Sequence, residues 1–476
     1  MLSLALESTM DRIVRPRKTF LQEFALNSTL FGYSLVVTFL INFLRMFYRL
    51  SRRLSSQLKG REEIKTSSLN LARLRRQKKK CVVFFCSSSG EFEQARPIID
   101  RLEKPGDCFT HVFFFSRSGY DYARARGEKV SYSLCPVDTI WNWGWILSAL
   151  RPDCSIVVRH EWWPAFLATA HAWSPVWLIN AVDTAAVSGK KGAIYSAFRN
   201  LGRKWLAQFF DRIYVVDNAD LDAFTKGLGR PAPITSAIGD TKYDRAVERA
   251  LQHTAESTHL SELIQKILPG NHLIAGSIYR EDLDILIPTF AESSSLKSEW
   301  VLVLAPHHPK PDVIAGIRQR CRAAGIESIT LSSLDSAQDP LVANGRALIV
   351  DTMGQLAELY SIGDIAFVGG AMHAKIHNVL EPAAHGLALA SGPFYKNSRE
   401  AIRLHQSGVL TIVEDKKQLA DWWVDSARHT QEVKKSIYSK VSGLCGASDR
   451  LLGALNDLLK SSAISPNSLG EGAINA

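Results

Sequence analysis

Two doubly wound α/β domains are the fold class this 476-residue sequence predicts, and three observations predict it. Short apolar runs alternate with helical or turn-rich segments from residue 81 onward, the pattern of parallel sheets covered by helices on both faces. The alternation breaks between Asp244 and Pro269 and then resumes, which divides the chain into two series. In the second series, apolar strands run into glycine-bearing turns and then into helices, as in DTMGQL (351–356) and IAFVGGAM (365–372). Helix N-termini present free N–H groups and a positive dipole end, so glycine turns there can approach a phosphate closely. In open α/β sheets ligands bind beyond the carboxyl ends of the strands, and two facing domains make the cleft between them the natural site.

The elements follow in chain order. Residues 1–23 form a basic N-terminal segment with Arg12, Arg15, Arg17 and Lys18. Residues 24–44, FALNSTLFGYSLVVTFLINFL, carry no charge, and about 21 residues suffice to span a hydrocarbon core as a helix. Arg45, Met46, Phe47, Tyr48 and Arg49 follow in place of a small-residue cleavage site, so the run reads as an uncleaved membrane anchor. An amphipathic helix lying on the membrane is the alternative, because Asn27, Ser28, Ser34 and Asn42 interrupt the apolar run. Residues 45–80 are a basic juxtamembrane linker that holds much of the chain's net charge of +10. The larger basic cluster after the anchor places the globular part on the cytoplasmic face of the membrane, next to anionic lipid. Nucleic acid is excluded as a partner, since no groove-reading or base-stacking motif accompanies the basic clusters.

The first domain spans 81–245, with strand-like runs KCVVFFC (80–86), THVFFFS (110–116), SIVVRHE (155–161), PVWLINA (175–181) and RIYVVD (212–217). The second spans 246–430, with HLIAG (272–276), WVLVLAP (300–306), RALIVD (346–351) and IAFVGG (365–370). Residues 431–460 read as a C-terminal helix and 461–476 as a disordered tail with little to bury. The seven cysteines show no CxxC spacing and lie mostly in or beside apolar runs, so they read as buried reduced thiols and not as a zinc site.

Several residues carry candidate chemistry. Glu91 stands just past the first strand in SSSGE, where a carboxylate would face the cleft. Ser88-Ser89-Gly90-Glu91 also fits a capping box, and from spacing alone both readings are open. Glu161 in HEWWP ends another strand, and an ion pair with Arg159 is its ordinary reading. Lys242 in GDTKYD stands where the chain leaves the first domain. Ser277, after AG, is placed for a phosphate contact at a helix start, and Glu381 in HNVLEP for hydrogen bonds from a ribose. Two Asp-Leu-Asp triplets, 220–222 and 282–284, resemble a metal-binding motif but fall on amphipathic helical stretches, so neither a metal nor another cofactor is expected. The stretch SGKKGAIYSAFRNLGRKW (188–205) interleaves Lys190, Lys191, Arg199, Arg203 and Lys204 with Tyr195, Phe198 and Trp205. That composition suits anionic head groups and interfacial burial, as well as a solvated helix face.

The motifs CSSSGEFEQARPIIDRL, HEWWPAFL, IGDTKYD, AGSIYRED, VLAPHHPK, MGQL, GGAM and HNVLEP, in this order and spacing from 81 to 425, resemble the 3-deoxy-D-manno-octulosonic acid (Kdo) transferases. These enzymes move Kdo from CMP-Kdo onto lipid A precursors in Gram-negative bacteria. The resemblance implies a GT-B type fold of two Rossmann-like domains, the first binding the acceptor and the second the CMP-sugar. It implies Glu91 as catalytic base, Glu161 as a second catalytic glutamate and Lys242 as the family's lysine. It further implies donor contacts from Pro306, His307, Met353, Gly354, Gln355 and Asn378, Val379, Leu380 and Glu381, with Ser277 added to them. The expected partners are CMP-Kdo, a lipid A precursor and the inner membrane. Five positions depart from the family pattern: His307 replaces the arginine of the APRH motif, Pro311 a later arginine, Lys375-Ile376 a glycine pair and Val182 another arginine, and GSIYRED lacks the usual histidine.

Overall fold

The computed structural model describes residues 28–40, 71, 75, 77–125, 130–183, 201–228, 234–255, 259–293, 299–336, 346–428 and 430–463. Two seven-stranded sheets dominate it, and every strand pairing in both is parallel. The first contains β1 (Lys80–Cys86), β2 (Cys108–Phe114), β3 (Ser131–Leu134), β4 (Cys154–Val158), β5 (Val176–Ala181), β6 (Arg212–Val215) and β7 (Ile234–Ala237). Their order is β3-β2-β1-β4-β5-β6-β7. The second contains β8 (Asn271–Ile278), β9 (Trp300–Pro306), β10 (Glu327–Thr330), β11 (Arg346–Ile349), β12 (Ile365–Val368), β13 (Ala388–Ser391) and β14 (Leu410–Ile412), in the order β10-β11-β9-β8-β12-β13-β14.

Both orders reverse direction once. The reversal lies between β1 and β4 in the first sheet and between β8 and β12 in the second. Adjacent loops diverge there to opposite faces and leave a crevice at the carboxyl edge. The central strands are buried on both faces, as KCVVFFC and WVLVLAP require: Val82 to Cys86 and Trp300 to Ala305 are all nearly inaccessible. Side chains on the two faces of the first sheet feed two separate clusters, one around Phe85, Trp143 and Phe166 and one around Phe84, Phe92 and Phe114.

The helix Thr241–Ala255 occupies the break between the two series and packs on helices of both domains, Ser89–Glu103 on one side and Leu380–Ala384 on the other. The C-terminal region is two helices and not one. Thr430–Ser442 and Ala447–Ala463 are separated by a turn in which Gly446 takes a φ of 98°. The second of them returns to the first domain, where Leu451, Leu455 and Leu459 are buried in the same cluster as Val82 and Phe84. Residues 464–476 of the expected tail lie outside the described residues.

Residues 28–40 of the expected anchor are helical, and the remainder, 24–27 and 41–44, lies outside the described residues. Among the described residues, no helix is long and apolar enough to cross a membrane. The helix 28–40 lies against the first domain: Leu30 is buried, the Tyr33 hydroxyl donates to Asp138 Oδ2 at 2.9 Å, and the Ile140 N–H donates to Ser34 Oγ at 3.2 Å. Ser34, a polar interruption of the apolar run, is therefore fully buried and hydrogen-bonded. Six of the seven cysteines are buried and Cys445 is half-buried, all as free thiols.

Candidate active site

Glu91 and Glu161 are brought together at the reversal of the first sheet, one at the start of the helix Ser89–Glu103 that follows β1 and the other in the loop after β4. Glu91 closes the capping box its spacing allows: the Ser88 N–H donates to its Oε2 at 2.8 Å, and the Ser88 hydroxyl donates to the same oxygen. Glu161 accepts from the Trp163 indole N–H at 2.6 Å. Burial pushes the Glu161 carboxyl up, hydrogen bonds from Trp163 and Ser87 oppose this, and the charge of Glu91 adds to the rise. His160, between them in sequence, is pushed down by burial and by the neighbouring Arg159 guanidinium.

Arg159 does not pair with Glu161. Its Nη2 lies 3.3 Å from Asp240 Oδ2, and its Nε donates to Gln94 Oε1 at 2.9 Å. This belongs to a polar network absent from the sequence reading. Asn180 Nδ2 donates to Thr241 Oγ1 at 2.6 Å, the Thr241 N–H returns a bond to Asn180 Oδ1, and the Lys242 N–H donates to Asp240 Oδ1 at 3.0 Å. Arg159 and Asn180 hold left-handed φ angles of 66° and 52°, as does Ser277 in the second domain at 54°. Such backbone persists in residues with side chains only where the surroundings over-determine it, and here all three stand near the carboxyl ends of their strands.

Lys242 is ion-paired with Glu400 of the second domain. A cavity of about 420 Å³ opens here, lined by Gly90, Gln94 and Lys242 from the first half and by Asn378, Glu381 and Glu400 from the second. Glu381 Oε1 is 2.7 Å from Arg249 Nη1, which projects from the helix between the domains. Asn378 Oδ1 accepts from the Leu380 N–H at 3.0 Å and so starts the short helix Leu380–Ala384. Val379 and Leu380 are buried in the core and also line this cavity.

The other expected donor residues surround the second sheet's reversal. Ser277 lies within β8 at an irregularity of its pairing and not at a helix start, because the helix Arg280–Glu292 begins beyond the N-cap Tyr279. Pro306 ends β9, and the His307 N–H donates to the Ile278 carbonyl at 3.1 Å. Met353 and Gly354 are exposed, Gly354 with a φ of 92°, and Gln355 is the N-cap of the helix Leu356–Ile362. Gly369 has no room for a side chain, since a Cβ there would fall 2.6 Å from the Ser277 carbonyl oxygen. The expected acceptor residues Lys190, Lys191 and Arg199 lie outside the described residues. Both Asp-Leu-Asp triplets are helical: Asp220 pairs with Arg399 at 2.9 Å, and Asp282 Oδ2 accepts the N–H groups of Tyr279 and Gly370.

Two parallel α/β domains meeting at such a cavity form a GT-B-like architecture. The UDP-GlcNAc 2-epimerase from Neisseria meningitidis shares it, with a TM-score of 0.54 and 15% sequence identity over 79% of this chain and all of that one. Residues 61–245 match the family described as 3-Deoxy-D-manno-octulosonic-acid transferase (kdotransferase). The enzyme of that name from Aquifex aeolicus is 25% identical over 65% of this chain and 74% of its own length. The one from Haemophilus influenzae is 24% identical over 80% of this chain and 86% of its own. These similarities are those of a divergent relative of this family, and the homologues they name are glycosyltransferases.

Proposed function

We propose that this protein transfers Kdo from CMP-Kdo to a lipid A precursor, the tetraacylated lipid IVA, as an inverting transferase in lipopolysaccharide core biosynthesis. The observation that carries the reading is the cavity where Lys242 of the first domain meets Asn378 to Glu381 of the second, with Gly90 in its lining next to Glu91 at the start of the helix Ser89–Glu103. In this reading Glu91 takes the proton from the attacking sugar hydroxyl as the CMP phosphate leaves the anomeric carbon. Lys242 and the adjacent N–H groups offset the charge that develops on the departing phosphate. Glu161, with its carboxyl pushed up by burial, orients the acceptor. Glu381 holds the ribose, Asn378 and the turn Met353–Gln355 complete the donor contacts, and Lys190, Lys191 and Arg199 meet the acceptor's phosphates.

An acceptor embedded in lipid requires the protein at a membrane, and we place it on the cytoplasmic face of the inner membrane. Phe31, Leu35, Val36, Phe39 and Leu40 of the helix 28–40 are exposed, and Trp141 and Trp145 of the helix Ile140–Leu150 extend the same apolar surface. Phe39 is 74% exposed and Trp145 59%, and a contiguous patch of this kind fits the interfacial region of a bilayer. In this placement the helix 28–40 seats the body against the lipid.

A second reading is favoured by how these side chains are already engaged. Glu91 is engaged by Ser88, Lys242 by Glu400 and Glu381 by Arg249, an arrangement that also suits a homologue that binds without turnover. The experiment supplies full-length protein with CMP-Kdo generated in place and a tetraacylated lipid A precursor, and weighs the lipid product by mass spectrometry. Addition of Kdo that disappears with Glu91→Ala supports the transferase. With the fold verified and donor present, an unchanged lipid supports the binding homologue, and protection by UDP instead of CMP would point to a different nucleotide sugar.

A further inference from the structure

Three loops that follow adjacent strands of the second sheet converge at its reversal point: Tyr279 after β8, His307 and His308 after β9, and residues 369–378 after β12. Their rings form one cluster. The His307 and His377 centroids are 4.3 Å apart with planes inclined by 27°, Tyr279 stacks on His377 at 5.6 Å, and His308 lies 4.4 Å from His307. Tyr279 is also 5.3 Å from His307, so the three rings are in mutual contact. A buried carboxylate fixes the assembly. Asp282 Oδ2 accepts from the Tyr279 N–H at 2.8 Å and the Gly370 N–H at 2.9 Å, which ties the first loop to the third. His377 packs over Gly370, where a Cβ would meet its ring at 2.8 Å.

We propose that His307 is a protonatable anion receptor, neutral in the empty site and taking up a proton when the phosphate of the donor nucleotide binds beside it. This deepens the donor-binding reading and rests on it. Two further observations support the division of roles within the cluster. Nε2 of His377 is buried with no hydrogen-bond partner among the described residues, which favours the neutral ring with its proton on Nδ1. His377 is thus the uncharged platform, and a protonated His307 gains by lying over its face and that of Tyr279.

The charges around His307 set the direction of the coupling. On its own loop are His308 and Lys310; from the loop after β12 come Lys375, His377 and His373, the last 3.9 Å from Glu281 at the start of the helix Arg280–Glu292; beneath lies Asp282. Partial burial, then His308 and Lys375, push the His307 imidazole below its ordinary value. It is therefore uncharged at neutral pH until an anion offsets its cationic neighbours, and that anion makes protonation favourable. Affinity for the phosphate must then fall as pH rises. A permanent guanidinium at this position would show no such dependence.

The test is calorimetric titration of the full chain with CMP, with UDP, and with cytidine as the phosphate-free control. Titrations run from pH 7.0 to 8.5, above the second ionisation of the phosphate, in buffers of different ionisation enthalpy. The expected result is a loss of CMP affinity of about three- to tenfold per pH unit with uptake of a fraction of a proton, and no pH trend for cytidine. His307→Arg should flatten the dependence and bind more tightly at pH 8.5, and His307→Gln should bind weakly and flatly throughout. CMP binding that is independent of pH and of buffer in the parent protein would overturn the proposal while leaving the donor reading intact. If UDP binds and CMP does not, the donor reading fails and the slope measured with UDP decides the role of His307. Absence of binding by both nucleotides across the range overturns both.

Discussion

Lys242 and Glu400 form an ion pair across the two domains, one residue leaving the first sheet and the other in the helix that follows β13. Burial alone would push the Glu400 carboxyl up, but the Lys242 ammonium and the Ser398 hydroxyl outweigh it and hold it at about 2. The depressed value means that the pair's stabilisation is fully present above the ordinary carboxylate value of 4.5 and is lost as pH falls toward 2. Glu400→Gln should cost about 1–3 kcal/mol at pH 7 and should make unfolding between pH 4.5 and 3 less pH-dependent than in the parent. Urea unfolding at both pH values measures this, and equal pH slopes in the two proteins would show that the pair contributes nothing.

Glu91 serves its helix whatever else it does, so the capping and catalytic roles must be separated. Glutamine can replace glutamate in a capping box but cannot act as a base. Glu91→Gln should therefore leave the thermal midpoint nearly unchanged while lowering turnover by about 10²- to 10⁴-fold. Ser88→Ala removes the partner of the cap and should cost about 1 kcal/mol with turnover changed only several-fold. If Ser88→Ala and Glu91→Gln lower stability and activity in parallel, Glu91 is a cap alone.

Asp282 gives the opposite pH signature from Glu400. Burial pushes its carboxyl up to about 6, although the N–H groups of Tyr279, Gly370 and Met372 oppose the rise. Between the unfolded value of 3.8 and about 6 the folded chain binds more protons than the unfolded one, so stability falls as pH rises through that window. The penalty reaches about 3 kcal/mol at most once both states are ionised. Asp282→Asn retains an acceptor for the Tyr279 and Gly370 N–H groups and carries no charge. It should remove this pH dependence and be no less stable than the parent at pH 8. A large loss of stability at pH 8 would mean that the ionised carboxylate is required to hold the two loops together.

Much of this architecture was legible because the central strands are buried on both faces and must be continuous apolar runs. KCVVFFC, PVWLINA and WVLVLAP announce themselves for that reason. The strands not anticipated were β3, β7, β10, β13 and β14, which include all four sheet edges and are only three or four residues long. SYSL and ESIT are partly exposed and carry no apolar run to read. Within the site, Glu91, Glu161 and Lys242 could be picked out because each sits in a short motif beyond a strand end, and Glu381 because its motif opens a helix. The network of Gln94, Asn180, Asp240 and Thr241 could not, since it joins three segments far apart in sequence and the left-handed backbone of Asn180 leaves no mark in composition. Val379 and Leu380 are buried at the start of a five-residue helix and line the same cavity as Asn378 and Glu381.

Under the membrane placement proposed above, the apolar surface of the helix 28–40 distinguishes two arrangements. A helix that spans the bilayer must leave the body of the protein, whereas this one is tied to it through Tyr33–Asp138 and through Ser34. Asp138 is buried and also accepts from the Trp143 indole and the N–H groups of Ala165 and Phe166, so the tie reaches the centre of the first domain. Phe39→Asp combined with Trp145→Asp places two charges on the exposed face without touching these bonds. Cosedimentation of the full chain with anionic vesicles should fall about tenfold or more, while the thermal midpoint stays within about 2 °C of the parent. Tyr33→Phe removes the bond to Asp138 and leaves the apolar face intact, so it should lower the midpoint without reducing vesicle binding. Binding that survives the double charge substitution would place the lipid contact elsewhere on the chain. The effect of Tyr33→Phe on stability would then report whether the helix stays seated on the protein at all.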